Sequence, residues 1–420
     1  MRALNLVLGT GPTAGPLGLR IAAFFAALFL AYGVVVPYFP VWLHARGLDP
    51  LEISTVTAAP LFIRLLVTPG IGLLADRVGD YRLVITSLAW GALAMVIGLG
   101  FASGYGPILV LGVAFLLANG TMVPLIETLA ARAVRSDGLD YGRMRLWGSV
   151  TFIIANFLGG MAIEALGGGS AIWMIGAAAM LTIAAAHALP GPAVSTLALA
   201  RPRIDWRSSS PARLLGSRLF VLFLIAIGCT HGAHATFYTF GALYWQSQGL
   251  PAAWVGALWA IGVSAEVVLF AFSAPVAGRL GPAQLIAVGA GASVLRWTGT
   301  AFDPPLYVLV PLQALHAFTY GAAHLGAILF ISRAVPHAGM GTAQAFYNTI
   351  AAGLMLGIVG LISGALYDAI GGMVFLVPAA VAAAGLAAGI MLLRGWDGRP
   401  LWDEGADAPA VSPTTRALGD

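Results

Sequence analysis

The sequence predicts an all-α membrane protein, with twelve transmembrane helices in two pseudo-symmetric six-helix bundles. Three observations carry that expectation: too few charges for a water-facing surface, a dozen apolar stretches of spanning length, and a repeat at constant offset. Of 420 residues, 59% are hydrophobic and 9% are charged. A soluble domain carries roughly 25% charged residues, so this inventory cannot face water on all sides.

The apolar stretches fall at 19–43, 52–74, 83–102, 106–131, 146–166, 170–189, 219–246, 253–278, 283–301, 305–332, 342–366 and 372–393. Each approaches the ~20 residues that cross a bilayer core. Each must be helical, because lipid satisfies no open backbone. Pro37 and Pro40 interrupt the first, Pro60 and Pro69 the second, and Pro124 the fourth. Pro275 falls in the eighth and Pro311 in the tenth. Such breaks are tolerated where neighbouring helices satisfy the freed groups. The segments around 100–110 and 300–305 read as tight turns.

Every basic residue is Arg, and the arginines alternate between connections. One set of loops holds Arg77 and Arg82; Arg132, Arg135 and Arg143; Arg201, Arg203, Arg207, Arg213 and Arg218; Arg279; and Arg333. The opposite set holds only Arg46. The positive-inside rule then places both termini in the cytoplasm of a bacterial inner membrane, as an even number of spans requires. The expected organisation is a first bundle over 1–189, a cytoplasmic linker over 190–217 with one interfacial turn near Trp206, a second bundle over 218–393 and a disordered tail over 394–420. Met1 to Arg20 lacks the compact apolar core and small-residue site of a cleaved leader.

The net charge of +4 does not point to nucleic acid, since the arginines sit in loops and form no stripe along a phosphate backbone. Cys229, the sole cysteine, lies in an apolar run, which excludes disulfides and cysteine-based metal sites. No cofactor and no metal are expected.

The halves match at an offset of 202 residues. Trp42-Leu43 and Gly47-Leu48 fall opposite Tyr244-Trp245 and Gly249-Leu250. Asp76-Arg77-Val78-Gly79 falls opposite Gly278-Arg279-Leu280-Gly281, and Arg64 opposite Glu266. Two parallel six-helix halves are the architecture of a carrier that opens alternately to each side.

Ionisable residues inside apolar segments mark the expected site. Arg64, Glu127, Glu266 and Arg296 lie deep, and Arg145 begins the fifth segment. Facing lipid, a central charge costs about 2.5–3.5 kcal/mol, so these should line a shared hydrated cavity. Glu127–Arg145 and Glu266–Arg296 are the natural pairs. Structural ion pairing is the bland alternative, but apolar packing does that job without desolvating charges. His316, Tyr320 and His324 recur at helical spacing, and His231, His234 and Tyr238 share one face. A buried His is commonly a hydrogen-bonded helix contact; two stripes facing one cavity favour a functional reading. Tyr38, Trp42, Tyr244, Trp245, Trp259 and Trp297 form either a stacking surface or interfacial belts.

The stretch Gly72-Leu-Leu-Ala-Asp76-Arg77-Val-Gly79-Asp-Tyr-Arg82, between the second and third spans, resembles the signature loop of the major facilitator superfamily. Gly72 is expected to permit close helix approach, and Asp76, Arg77 and Arg82 to latch the cytoplasmic side. Pro124-Leu-Ile-Glu127 and Asp140-Tyr-Gly-Arg143-Met-Arg145-Leu-Trp147-Gly148-Ser149 resemble the fourth and fifth helices of the lactose-permease-like branch. Ala265-Glu266-Val267-Val268, Leu295-Arg296-Trp297 and Leu315-His316-Ala-Phe-Thr319-Tyr320, with His324, are similar to the phenylpropionate permease pattern. The resemblance covers nearly the whole chain outside its ends and linker.

It implies a proton symporter working by alternating access. Substrate is expected at Glu127, Arg145, Arg64, Trp147, His231, His234 and Tyr238. Proton coupling is expected at Glu266, Arg296, His316, Tyr320 and His324. Lactose permease has a carboxylate one turn after the His where this chain has Thr319. Glu266, tuned by Arg296 and His316, is therefore the expected proton carrier, with Glu127 second. The expected partners are a small organic solute, protons and the bilayer, handled by a monomer; a phenylpropionate-like aromatic acid is favoured. A sugar or nucleoside symporter and a proton-antiport efflux pump stay open. So, outside transport, do a membrane-embedded enzyme and a sensor.

Overall fold

A computed structural model describes residues 16–191 and 210–402. Twelve helical spans are present among them. The first half comprises α1 (Pro16–Ala45), α2 (Pro50–Val78), α3 (Tyr81–Phe101), α4 (Tyr105–Asp137), α5 (Tyr141–Leu166) and α6 (Ala171–Ala188). The second half comprises α7 (Arg218–Ser247), α8 (Ala252–Ala271, continued by Ser273–Arg279), α9 (Pro282–Thr300) and α10 (Leu306–Ala334). It ends with α11, running from Met340–Thr349 through Ile350–Leu354 to Met355–Ile370, and α12 (Leu376–Gly395). The apolar stretch Met340–Gly395 is 56 residues long but turns at Gly371, whose φ of 52° ends α11.

Loop residues explain where the helices start and stop. Asp49 accepts the Glu52 N–H at 2.8 Å while Glu52 accepts the Asp49 N–H at 3.1 Å, a reciprocal cap on α2. Gly79 ends α2 in the left-handed region at φ 71°, and the adjacent Asp80 caps α3 by accepting from Leu83. Asp140 does the same for α5 through Arg143. The 202-residue repeat has a backbone counterpart: Gly47 and Gly249 end α1 and α7 at φ 83° and 81°.

The hydrophobic core is shared by both halves at the Arg-poor ends, whereas each half has its own clusters elsewhere. At the Arg-poor end, Tyr38, Phe39 and Trp42 of the first half share a cluster with Tyr244, Trp245, Trp259 and Phe375 of the second. At the Arg-rich end, Phe24, Phe25 and Leu129 pack within the first half, and Phe223, Phe330 and Leu392 within the second. The joined ends meet at close range. Tyr38 donates to the Asn156 carbonyl at 2.6 Å, and a Cβ on Gly256 would come within 2.7 Å of the Tyr38 hydroxyl. Glu164 accepts the Ala253 N–H at 3.0 Å. Glycines of α11 receive side chains of α2, with Gly357 against Phe62 and Gly353 against Leu65. The two halves are thus joined at the Arg-poor face and separate at the Arg-rich face.

Three expectations change. Gly72 permits no close approach here, since a Cβ on it would meet open space. The tail does not begin disordered at 394: Arg394 is helical, Trp396 packs on Phe330 at 4.9 Å, and Leu401 donates to the Ala334 carbonyl at 2.7 Å. Its remainder from 403, and linker residues 192–209 with Trp206, lie outside the described residues; Ser210–Gly216 is helical. The apolar runs also undershot the helices. At 33 residues α4 is about 50 Å long, well past a ~30 Å hydrocarbon core.

Candidate functional site

A chamber of about 500 Å³ lies between the halves. Its first-half wall carries Phe29, Tyr32, Arg64, Arg145 and Ser149. Its second-half wall carries His231, Tyr238, Glu266, Arg296, His316, Tyr320, His324 and Tyr347. Of the ionisable groups embedded in the spans, Arg64, Arg145, Glu266 and Arg296 line this one hollow. They therefore face the bundle interior rather than lipid.

The second-half wall is a connected network. Arg296, 1% exposed, donates to His316 Nδ1 at 3.0 Å, to Thr319 Oγ1 at 3.1 Å and to Gln313 Oε1 at 2.6 Å. A guanidinium only donates, so His316 Nδ1 must accept and the ring proton sits on Nε2. That Nε2 faces Glu266 Oε2 at 3.1 Å. Glu266 and Arg296 thus do not pair directly, as the sequence suggested; the neutral His316 ring stands between them. His234 Nδ1 faces the carbonyls of Thr230 and His231 at 3.2 and 3.1 Å and so carries that ring's proton. Its Nε2 then accepts from the Thr319 hydroxyl at 3.0 Å. His234 stands behind the wall and holds Thr319, which in turn receives Arg296.

Tyr320 stacks between His316 and His324, with centroids 5.5 and 6.1 Å away. His324 Nδ1 meets the Tyr347 hydroxyl at 2.7 Å, and His231 stacks on Tyr320 at 4.8 Å. Helix breaks position these groups. Ala317–Ala322 of α10 is a π-helical turn holding Thr319 and Tyr320, and α7 breaks beside His231 and His234. Such turns leave backbone carbonyls partly free and recur at functional sites.

The first-half wall is sparse. The Arg145 guanidinium lies over the Phe29 ring at 3.7 Å, and its Nη1 is buried with no hydrogen-bond partner among the described residues. Arg64 reaches across the seam to the Ala352 carbonyl, in the π-helical turn Ile350–Leu354 of α11. Against expectation, Glu127 is not among the residues lining the chamber and makes no direct ion pair with Arg145 among the described residues, although the two charges lie close enough to act on each other and on Tyr320. Trp147 is 53% exposed and also lies off the chamber. Arg145, Ser149 and Phe152 share the inward face of α5, and Trp147, two residues from either polar group, points elsewhere.

In the signature loop, Asp76 accepts from Arg132 at 3.1 Å and from the Tyr81 hydroxyl at 2.7 Å, with Arg132 4.4 Å from the Tyr81 ring centre. This joins α2, α3 and α4 inside the first half, and the sequence reading had not singled out Arg132 as the partner. Arg77 is exposed, and Arg82 half-buried. Gln313, Tyr347 and Asn348 were also missed. Of these, Gln313 carried a signal, as an amide three residues before His316 in an apolar run.

Residues 19–377 match the model of the MFS_1 like family. The chain is 32% identical over 373 residues to the "Probable 3-phenylpropionic acid transporter" of Escherichia coli (strain K12), covering 86% of this chain and 94% of that protein. It is 26% identical to the maltose permease of Geobacillus stearothermophilus, over 82% of this chain and 86% of that one. Among solved structures, the nucleoside transporter NupG (D323A mutant) superposes with a TM-score of 0.78 at 15% identity, covering 90% of this chain and 99% of that chain.

Proposed function

Because the chain belongs to the MFS_1 like family and is a secondary transporter of the major facilitator type, we propose that it carries a small aromatic acid of the phenylpropionate class together with a proton. The observation that carries this reading is the charge of the chamber. Arg64, Arg145 and Arg296 line it with the carboxylate of Glu266, and Glu127 acts on Arg145 from beside it, so guanidiniums outnumber carboxylates three to two. A solute with a carboxylate corrects that imbalance, and a neutral sugar does not. Guanidinium groups are suited to carboxylates because their N–H fork matches two oxygens at once.

The second-half network supports Glu266 as the proton carrier. His316, held neutral by Arg296, presents one N–H to the carboxylate whether or not the other oxygen is protonated. The fixed ring therefore tolerates both states of Glu266. With the halves joined at the Arg-poor ends, the chamber is accessible from the Arg-rich face, taken here as cytoplasmic in a bacterial inner membrane. Uptake then proceeds by rocking about the seam. One chain builds the whole chamber, so a monomer suffices.

Proteoliposome uptake tests the substrate and the coupling together. A monoanion entering with one proton moves no net charge, so a pH gradient alone should drive 3-phenylpropionate accumulation. An imposed potential should leave it unchanged. A neutral sugar with a proton carries one charge, and 100 mV then supplies about 2.3 kcal/mol, roughly fifty-fold accumulation. Uptake that rises with potential, or that prefers maltose, would overturn the aromatic-acid reading.

A further inference from the structure

Beside the polar chamber, on its Arg-poor side, lies a second space of about 180 Å³ whose lining is almost wholly apolar. Phe39, Ala58 and Leu116 line it from the first half, and Ala235 and Gly360 from the second. Tyr32, Val36, Leu61, Tyr238 and Leu356 border both spaces, so the lobe is continuous with the chamber. Thr57, one of its few polar side chains, already spends its hydroxyl on the Ile53 and Ser54 carbonyls at 3.1 Å each.

We propose that this lobe is an aryl subsite: it receives the ring of the carried acid while Arg64 receives its carboxylate. The inference rests on the aromatic-acid reading above and adds the ring's place to it. Size and polarity argue for the occupant. An apolar cavity of about 150 Å³ stays dry and binds benzene, and this lobe is slightly larger and similarly poor in partners for water. Geometry links the two ends of the ligand. Leu61 borders the lobe, and Arg64 follows it one turn along α2, about 5 Å along the helix axis. That rise matches the reach of a two-carbon spacer between a ring and a carboxyl. Arg64 now holds the Ala352 carbonyl, a neutral acceptor. A carboxylate displaces it, since a hydrogen bond between two ionised groups is stronger.

The lobe's position adds a consequence. It lies in the seam where Ala58 and Ala235 approach Gly360, with Cβ-to-Cβ distances of 4.0 and 3.8 Å for a side chain built there. A ring in it packs against both halves at once. Acids with a ring therefore favour the state sealed at the Arg-poor face over acids without one.

The test uses purified full-length carrier and direct binding of 3-phenylpropionate, of para-methyl-3-phenylpropionate and of propionate. Leu116→Phe fills the lobe from α4, away from the seam glycines. It should weaken 3-phenylpropionate by roughly tenfold or more, the worth of burying a ring, and leave propionate unchanged. Leu116→Ala enlarges the lobe and should shift preference toward the para-methyl acid, which keeps the test valid if the larger side chain impairs folding. Arg64→Gln should weaken all three acids. Equal loss of all acids in Leu116→Phe, or no loss of any with unchanged preference in Leu116→Ala, overturns the aryl subsite alone. Failure of the unaltered carrier to bind any aromatic acid overturns the substrate reading along with it.

Discussion

The two walls of the chamber are built differently although the halves repeat each other. The spans that form the first-half wall are continuous: α1, α2 and α5 run 30, 29 and 26 residues without a helical break. Three of the second half are interrupted where they meet the chamber, by π-helical turns in α10 and α11 and by the break in α7, while α8 and α9, which carry Glu266 and Arg296, run past it unbroken. The continuous wall holds two guanidiniums, one lying on an aromatic ring and one on a carbonyl of the other half. The interrupted wall holds a network in which Arg296 reaches three acceptors at once. Position 64 and its repeat-mate 266 state the contrast most compactly, an Arg with spare donors against a Glu held by a histidine. A wall with unspent donors suits a ligand that comes and goes. A wall whose charged and polar groups are tied to one another suits a proton that must be passed within fixed geometry.

The largest expected effect tests the second wall. Glu266→Gln keeps a hydrogen-bonding side chain beside His316 but cannot take up or release a proton. Accumulation of 3-phenylpropionate driven by a pH gradient should vanish, while exchange of preloaded for external acid continues. If gradient-driven accumulation survives in Glu266→Gln vesicles, Glu266 has no part in coupling, and the division between walls breaks down.

A smaller effect belongs to the first wall. Arg145→Gln removes a guanidinium whose Nη1 has no hydrogen-bond partner among the described residues. Losing one charge-assisted hydrogen bond to the acid costs about 1.5–3 kcal/mol, or roughly tenfold to a hundredfold in Kd. The melting temperature without ligand should hardly move. Arg296→Gln is the sharp contrast. It leaves buried groups of Gln313, His316 and Thr319 without their donor, at about 1–3 kcal/mol each, and should lower the melting temperature of the empty carrier. Similar melting temperatures for the two variants would mean that the walls do not differ as argued.

The contrast was only half legible in the sequence. Composition and run length marked the spans, the 202-residue offset marked the halves, and buried charge marked which helices face inward. The rotation of each helix about its axis was not marked. In water, an apolar stripe tells which face is buried; in lipid both faces are apolar, and polarity no longer reports direction. Trp147 and Ser149 are two residues apart on α5, and only Ser149 lines the chamber. Glu127 was paired with Arg145 as two charges in neighbouring spans; the two do act on each other and on Tyr320, but without the direct ion pair expected. The π-helical turns were invisible too, because an extra residue in a helical turn leaves no compositional trace.

Thr319 gives the smallest effect and the finest test of how the second wall is set. It occupies the place where a carboxylate would carry charge in the lactose-permease-like pattern, and here it accepts from Arg296 and donates to His234. Thr319→Val preserves shape and removes both bonds. Double-mutant cycles in membrane helices put such a bond at about 0.6 kcal/mol on average, so stability should fall by about 1 kcal/mol for the two. If Thr319 only fills space, nothing further changes. If it fixes the Arg296 fork toward His316, the dependence of uptake rate on pH should shift while the Kd for the acid stays put. A variant with an altered Kd and an unshifted pH profile would place Thr319 with the ligand-binding wall, and the boundary between the two walls would have to be redrawn through α10.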